Sequence, residues 1–295
     1  TVNFLNLRRP DFLAASVTIS ETVRTQIVNY SGYAQFITDD LPREMSFLVL
    51  FAIGQAYVVN TKYALAIKSI ETAIAQLPPA ATPTGLAEAY FSLGWLYQQP
   101  PTRLDQAIGN YTKALKLKPD YVLAYNNRGN SRYAQGEYAA AIADYDQALK
   151  LKPDDALVYV GRGITHRAQG KYAEAFMDFD QAIKLKPDYA DAYNKRGAAR
   201  AAQGNYTAAI TDYDQALKLK PDDAFAYLER GVVHGAQGKY AEAIVDFDQA
   251  IKLKPDYADA YANRGLARYS EGKYAEAIVD FDQAIKLKPD YANAY

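Results

Sequence analysis

The chain has 295 residues, more than one hydrophobic core usually organises, so a modular build is expected. Its 33 basic and 34 acidic side chains leave it close to neutral, which argues against nucleic acid or an anionic membrane surface as the partner. It has no cysteine, which excludes disulfides, thiolate metal sites and a cysteine nucleophile.

Residues 1–46 stand apart from the rest of the chain. Arg8-Arg9-Pro10-Asp11 reads as a turn, and Thr18-Ile19-Ser20-Glu21 as a capping box that opens a helix through Ile27 and Tyr30. Asp39-Asp40-Leu41-Pro42 reads as a second helix start. The segment is expected to be an N-terminal helical cap or the tail of a preceding domain. The chain begins at Thr1 rather than Met, and so reads as a fragment or a trimmed product. The longest apolar run, Phe47 to Gly54, is too short to cross a bilayer, so no membrane insertion is expected. No signal peptide is visible, which favours the cytoplasm.

From residue 47 a period emerges. Lys-Leu-Lys-Pro-Asp occurs six times, with prolines at Pro119, Pro153, Pro187, Pro221, Pro255 and Pro289, each 34 residues after the last. A constant spacing of this size means stacked supersecondary units. The boundaries read as a degenerate repeat at 47–86 that ends in the Pro-rich stretch Pro78 to Gly85, and a repeat at 87–121 with one extra residue in its turn. Five strict repeats occupy 122–155, 156–189, 190–223, 224–257 and 258–291, and 292–295 begins an incomplete eighth.

Each strict repeat reads as two helices. Counting Val122 as position 1, Tyr138, Ala141, Ile142, Tyr145, Ala148 and Leu149 form one apolar helical stripe. Gly136 suits a left-handed turn closing a first helix over Val122 to Ala134, with Asp120 as its candidate cap. Lys150 and Lys152 lie where cations complement the helix dipole, and Pro153 stops the helix.

The pattern resembles the tetratricopeptide repeat family: an aromatic at position 4, Gly at 8, Ala at 20, an aromatic at 24, Ala at 27 and Pro at 32. Tyr125, Gly129, Ala141, Tyr145, Ala148 and Pro153 fill these positions in the first strict repeat, and Tyr227, Gly231, Ala243, Phe247, Ala250 and Pro255 fill them in the fourth. The resemblance covers residues 47–291. It implies an all-α fold, an α-solenoid wound as a right-handed superhelix, whose first helices line a concave groove that holds a peptide or protein partner.

The chain departs from the family at position 7, where Arg128, Arg162, Arg196, Arg230 and Arg264 stand, and at position 11, where Arg132, His166, Arg200, His234 and Arg268 stand. Positions 23 and 25 are always acidic in the strict repeats, as in Asp144 with Asp146. These charges are expected to form a ladder within repeats or between neighbours, because an unpaired buried charge is costly. A second period lies inside the first. Repeat 156–189 matches 224–257 at 25 of 34 positions, as 122–155 matches 190–223, so repeats ending Asp-Asp alternate with repeats ending Asp-Tyr.

No phosphate loop, metal-ligand spacing or nucleophile elbow appears, and carboxylate pairs copied five times do not read as an active site. The chain therefore reads as a non-enzyme without metal or cofactor. The resemblance places the binding groove at Phe51, Phe91, Trp95, Asn126, Asn130, Tyr133, Val160, Ile164, Arg167, Asn194 and Leu228. The asparagines would bond a peptide backbone and the apolar residues would hold side chains. Val232, Ala262 and Leu266 continue positions 5 and 9. The carboxylate clamp of chaperone-tail-binding members is absent: Asn126 replaces its Lys, Gly161 its Asn, and Asp191 its second Lys. The alternative to a peptide-binding scaffold is a structural arm that self-associates through its last repeat.

Overall fold

The computed structural model describes residues 43–78 and 85–289. The helix expected after Thr18, the start expected at Asp39 to Pro42 and most of the Pro-rich stretch lie outside the described residues. Fourteen α-helices and no strands occur among those described. The chain divides into two compact units, residues 1–154 and 155–295.

The first unit contains α1 (Arg43–Val59), α2 (Tyr63–Ala75), α3 (Leu86–Gln98), α4 (Leu104–Leu117), α5 (Val122–Ala134) and α6 (Tyr138–Leu151). They pack as the pairs α1/α2, α3/α4 and α5/α6, and each pair also packs on the next. The second unit contains α7 (Ala156–Ala168), α8 (Tyr172–Leu185), α9 (Ala190–Ala202), α10 (Tyr206–Leu219), α11 (Ala224–Ala236), α12 (Tyr240–Leu253), α13 (Ala258–Ser270) and α14 (Tyr274–Leu287), packed in the same way. Each unit is thus a helix-turn-helix solenoid.

Three local devices build a pair. Gly136 adopts φ +80°, and the amides of Gly136 and Glu137 return to the carbonyls of Tyr133 and Arg132 at 2.9 Å each. This left-handed closure uses carbonyls that the helix end leaves open, and glycine adopts it without Cβ strain. At position 8 the requirement is space rather than conformation: a Cβ on Gly129 would lie 2.8 Å from the ring of Tyr145. That ring is fully buried, as are Tyr111, Tyr213 and Phe179 at the same position in other repeats. At the joint, Lys152 leaves the helix with φ −139° and ψ 88°, as the residue before a proline must.

The capping residue differs from expectation. Asp120 does not cap α5, whose N-cap is Tyr121 with no side-chain bond. Capping falls one residue later, and only at the Asp-Asp joints. Asp155 accepts from the Leu157 amide at 3.2 Å, and Asp223 accepts from Phe225 at 3.1 Å and Ala226 at 3.3 Å. The residue just before the helix has the extended geometry that lets a short carboxylate turn back onto the first amides, and Asp120 lies one position too far away.

Candidate functional site

The charged ladder forms both within repeats and between neighbours. Arg128 meets Asp144 through Nε at 3.0 Å and Nη2 at 2.6 Å, and Arg132 reaches the same carboxylate at 2.7 Å. Arg196 with Arg200 on Asp212, and Arg264 with Arg268 on Asp280, repeat the arrangement. Where position 11 is histidine the contact is longer, 3.8 Å for His166 with Asp178 and 3.7 Å for His234 with Asp246. The remaining guanidinium nitrogen of Arg196 crosses to Asp180 of the preceding repeat at 2.6 Å, and those of Arg230 and Arg264 cross to Asp214 and Asp248 at 2.5 Å. Burial works against the Arg196 guanidinium, but its bonds to Asp212 and Asp180 outweigh burial and raise its pKa. The ladder is therefore structural, because the arginines named here are matched inside the fold.

Of the eleven groove residues expected from the sequence, nine are buried. In the first unit Phe91 is 1% exposed and packs on Tyr111 and Tyr121, with ring centroids 5.6 and 4.8 Å away. Trp95 meets Tyr63 edge-on at 5.8 Å, and Phe51 stacks on Phe47 at 5.9 Å. These three aromatics join the unit's own core. The asparagines are also buried and engaged. Asn126 donates to the Asn127 side chain at 3.2 Å, and the Asn130 carbonyl accepts the Tyr145 hydroxyl at 2.7 Å. Tyr133 is half-buried and packs on Tyr138 at 5.6 Å.

In the second unit Val160, Ile164, Asn194 and Leu228 are buried, while Arg167 is half-buried. Asn194 donates to Asp223 at 3.2 Å, and Leu228 packs in the cluster that includes Tyr257. Here the first helices α7, α9, α11 and α13 pack successively. Their position 9 residues open progressively: Ile164 is 3% exposed, Val232 41% and Leu266 51%. Beside this row, Lys195 lies over the Phe225 ring at 5.3 Å and pairs with Asp191 at 3.4 Å. Burial raises the pKa of the Glu229 carboxyl, against the pull of Lys195 and Arg167. Lys195, Phe225 and Glu229 were not singled out from the sequence. They occupy positions 2 and 6, which share a helix face with positions 5 and 9, and that spacing was the available signal.

Among the described residues no group of three or more His, Asp or Glu side chains could hold a metal ion. No described helix is long and apolar enough to cross a membrane.

Comparison with known proteins agrees with this architecture. The TPR repeat family matches residues 103–136, 129–170, 165–204, 199–238 and 236–271, and the tetratricopeptide repeat family matches 258–291. No curated protein matches the chain. Its fold is similar to that of a tetratricopeptide repeat protein from Parabacteroides merdae, with TM-score 0.71 and 21% identity over 85% of this chain and 96% of that one. It is also similar to PilW, a type IV pilus biogenesis factor, with TM-score 0.64 and 22% identity over 70% of this chain and 96% of that one. For the MamA protein the TM-score is 0.50, with 27% identity over 58% of this chain and 93% of that one. With matches running from residue 103 to 291 and paired helices at each period, the chain belongs to the tetratricopeptide repeat family.

Proposed function

We propose that this protein, an interaction scaffold by family, holds an extended polypeptide segment along the first-helix face of its second unit, in the concave groove that the family's architecture implies. One observation carries the reading: Val232 and Leu266, at the same position of neighbouring helices α11 and α13, are 41% and 51% exposed. Apolar side chains left open in a row and edged by polar groups mark an interaction surface. Lys195 and Glu229 supply that edge, and the spacing suits a ligand with alternating apolar and polar side chains. A peptide selected from a random library on the intact chain should lose at least tenfold affinity in Val232→Asp and Leu266→Asp, with circular dichroism unchanged. Equal affinity in both variants would remove this face from consideration.

A second reading has its own observation. On α14, Tyr274 and Ile278 are each 59% exposed, whereas Tyr240 and Ile244, their equivalents on α12, are partly buried in the cluster that includes α13. We propose that this face takes the first helix of a repeat from a second copy of the chain. Light scattering over a hundredfold concentration range should show association that Ile278→Glu abolishes. A strict monomer throughout would end this reading.

A further inference from the structure

The position 7 arginines occupy the same cradle in successive repeats. Each lies over the tyrosine at position 4, with ring centroids 5.6 Å away for Arg128 on Tyr125, 5.5 Å for Arg196 on Tyr193 and 5.3 Å for Arg264 on Tyr261. Each bonds the carboxylate at position 23, and Arg128, Arg196, Arg230 and Arg264 send their remaining nitrogen to position 25 of the repeat before. Thr112 accepts from Arg128 at 3.0 Å, and Asp180 accepts from Arg196 at 2.6 Å.

The repeat at 87–121 keeps the tyrosine and the acidic neighbour of this cradle without its arginine. Leu93 stands at position 7 and Tyr97 at position 11, so both cations of the ladder are gone. Part of the surroundings remains: the Tyr90 ring stands at position 4 and Glu71 at position 25 of the preceding repeat, while Asn110 replaces the carboxylate at position 23. With Leu93, Tyr97 and Lys113 they line a cavity of about 480 Å³. One oxygen of Glu71 accepts the Tyr97 hydroxyl, and the other accepts no bond among the described residues. Asn110 donates its amide to the Gln106 carbonyl at 2.8 Å, and its side-chain oxygen has no donor among the described residues. The Tyr90 ring is covered at 5.2 Å by Lys113, an exposed and flexible side chain.

We infer that this cavity binds the guanidinium of an arginine side chain from a partner polypeptide, which takes the place of the internal arginine. Tyr90 offers the stacking face, and Glu71 and Asn110 offer acceptors to its planar fork of donors. Lys113 must swing aside, and its exposure allows this. A lysine from the partner fits less well, because a point ammonium cannot both stack flat on the ring and reach two acceptors. The site lies in the first unit, so it stands or falls separately from the first-helix face of the second.

The test uses the intact chain at low salt, with two blocked pentapeptides of Gly-Gly-Arg-Gly-Gly and Gly-Gly-Lys-Gly-Gly, monitored by nuclear magnetic resonance. The arginine peptide should produce saturable shifts at Tyr90, Tyr97 and Asn110, and the lysine peptide should bind at least fivefold more weakly. Leu93→Arg should fill the cradle from within and abolish the response. Glu71→Gln, a surface change that leaves the fold intact, should weaken it at least fivefold. Absence of saturable shifts, equal affinity for the two peptides, or an undiminished response in either variant would overturn the inference.

Discussion

The Asn194 side chain donates to Asp223 at 3.2 Å, and Asp223 in turn caps α11 through the amides of Phe225 and Ala226. Position 5 of one repeat thus steadies the residue that starts the next. Where the joint ends in tyrosine, position 5 is apolar, as with Leu228 beside Tyr257 and Phe91 on Tyr121. At these joints a polar pair and an apolar pair serve the same contact.

A double-mutant cycle on Asn194→Ala and Asp223→Ala should reveal this coupling. Loss of the cap alone should cost about 1 kcal/mol. The pair should cost less than the sum of the single changes, with an interaction energy of at least about 0.5 kcal/mol. Urea unfolding of the four proteins measures it, and strict additivity would show that Asn194 does not act through the cap.

Gly129→Ala should destabilise by about 1–3 kcal/mol, because the new Cβ meets a fully buried Tyr145 ring that has no room to move. Gly109→Ala is the control. Nothing lies within 4 Å of a Cβ there, so alanine should be neutral or mildly stabilising in that helix. Thermal unfolding of both variants separates the effect of space from that of helix propensity.

Asp212→Ala removes the carboxylate shared by Arg196 and Arg200 and leaves two partly buried cations with no strong partner inside their own repeat. Breaking a buried pair from one side costs about 3–5 kcal/mol, and the partial exposure of both arginines places this case toward the lower end. Asp214→Ala, which removes a 55% exposed partner of Arg230, should cost no more than about 1 kcal/mol. Comparable losses in the two variants would contradict the assignment of the inner carboxylate as the central member of the ladder.

Tyr97 is one of several tyrosines whose burial should make the fold sensitive to alkali. Burial, reinforced by its bond to Glu71, raises its pKa from 10.0 to about 12. A group raised in the folded state contributes stability that is complete below its unfolded pKa and is lost as pH rises through the folded one. The parent should therefore lose stability between pH 10 and about 12 more steeply than Tyr97→Phe does. Thermal midpoints taken at pH 9 and above pH 11 test the sign, and parallel losses would remove Tyr97 as the cause.

The helices, their left-handed closures and the proline joints were legible because each depends on contacts a few residues apart. Gly136, Pro153 and the stripe from Tyr138 to Leu149 act within one or two turns of chain. The partition of charge was also legible, since five arginines at position 7 and five aspartates at position 23 leave little choice but to pair. Exposure at the candidate face was not. Asn126, Asn130 and Asn194 share a helix face with Val232 and Leu266, yet the first three are buried with partners and the last two are open. Identical repeat positions diverge because burial depends on what the neighbouring repeat places opposite them, and a single repeat does not carry that information.

The same division holds at the empty cradle of the first unit. The order of residues alone determines that Leu93 and Tyr97 stand where later repeats have arginine and a basic residue, because the 34-residue period aligns them. Only the tertiary structure decides that Glu71, two helices away from Asn110, comes to line one cavity with it. The physical reason is distance along the chain. Periodicity specifies each helix and its register, but the groups that meet across stacked helices are chosen by packing, which closes some of these spaces and leaves this one open.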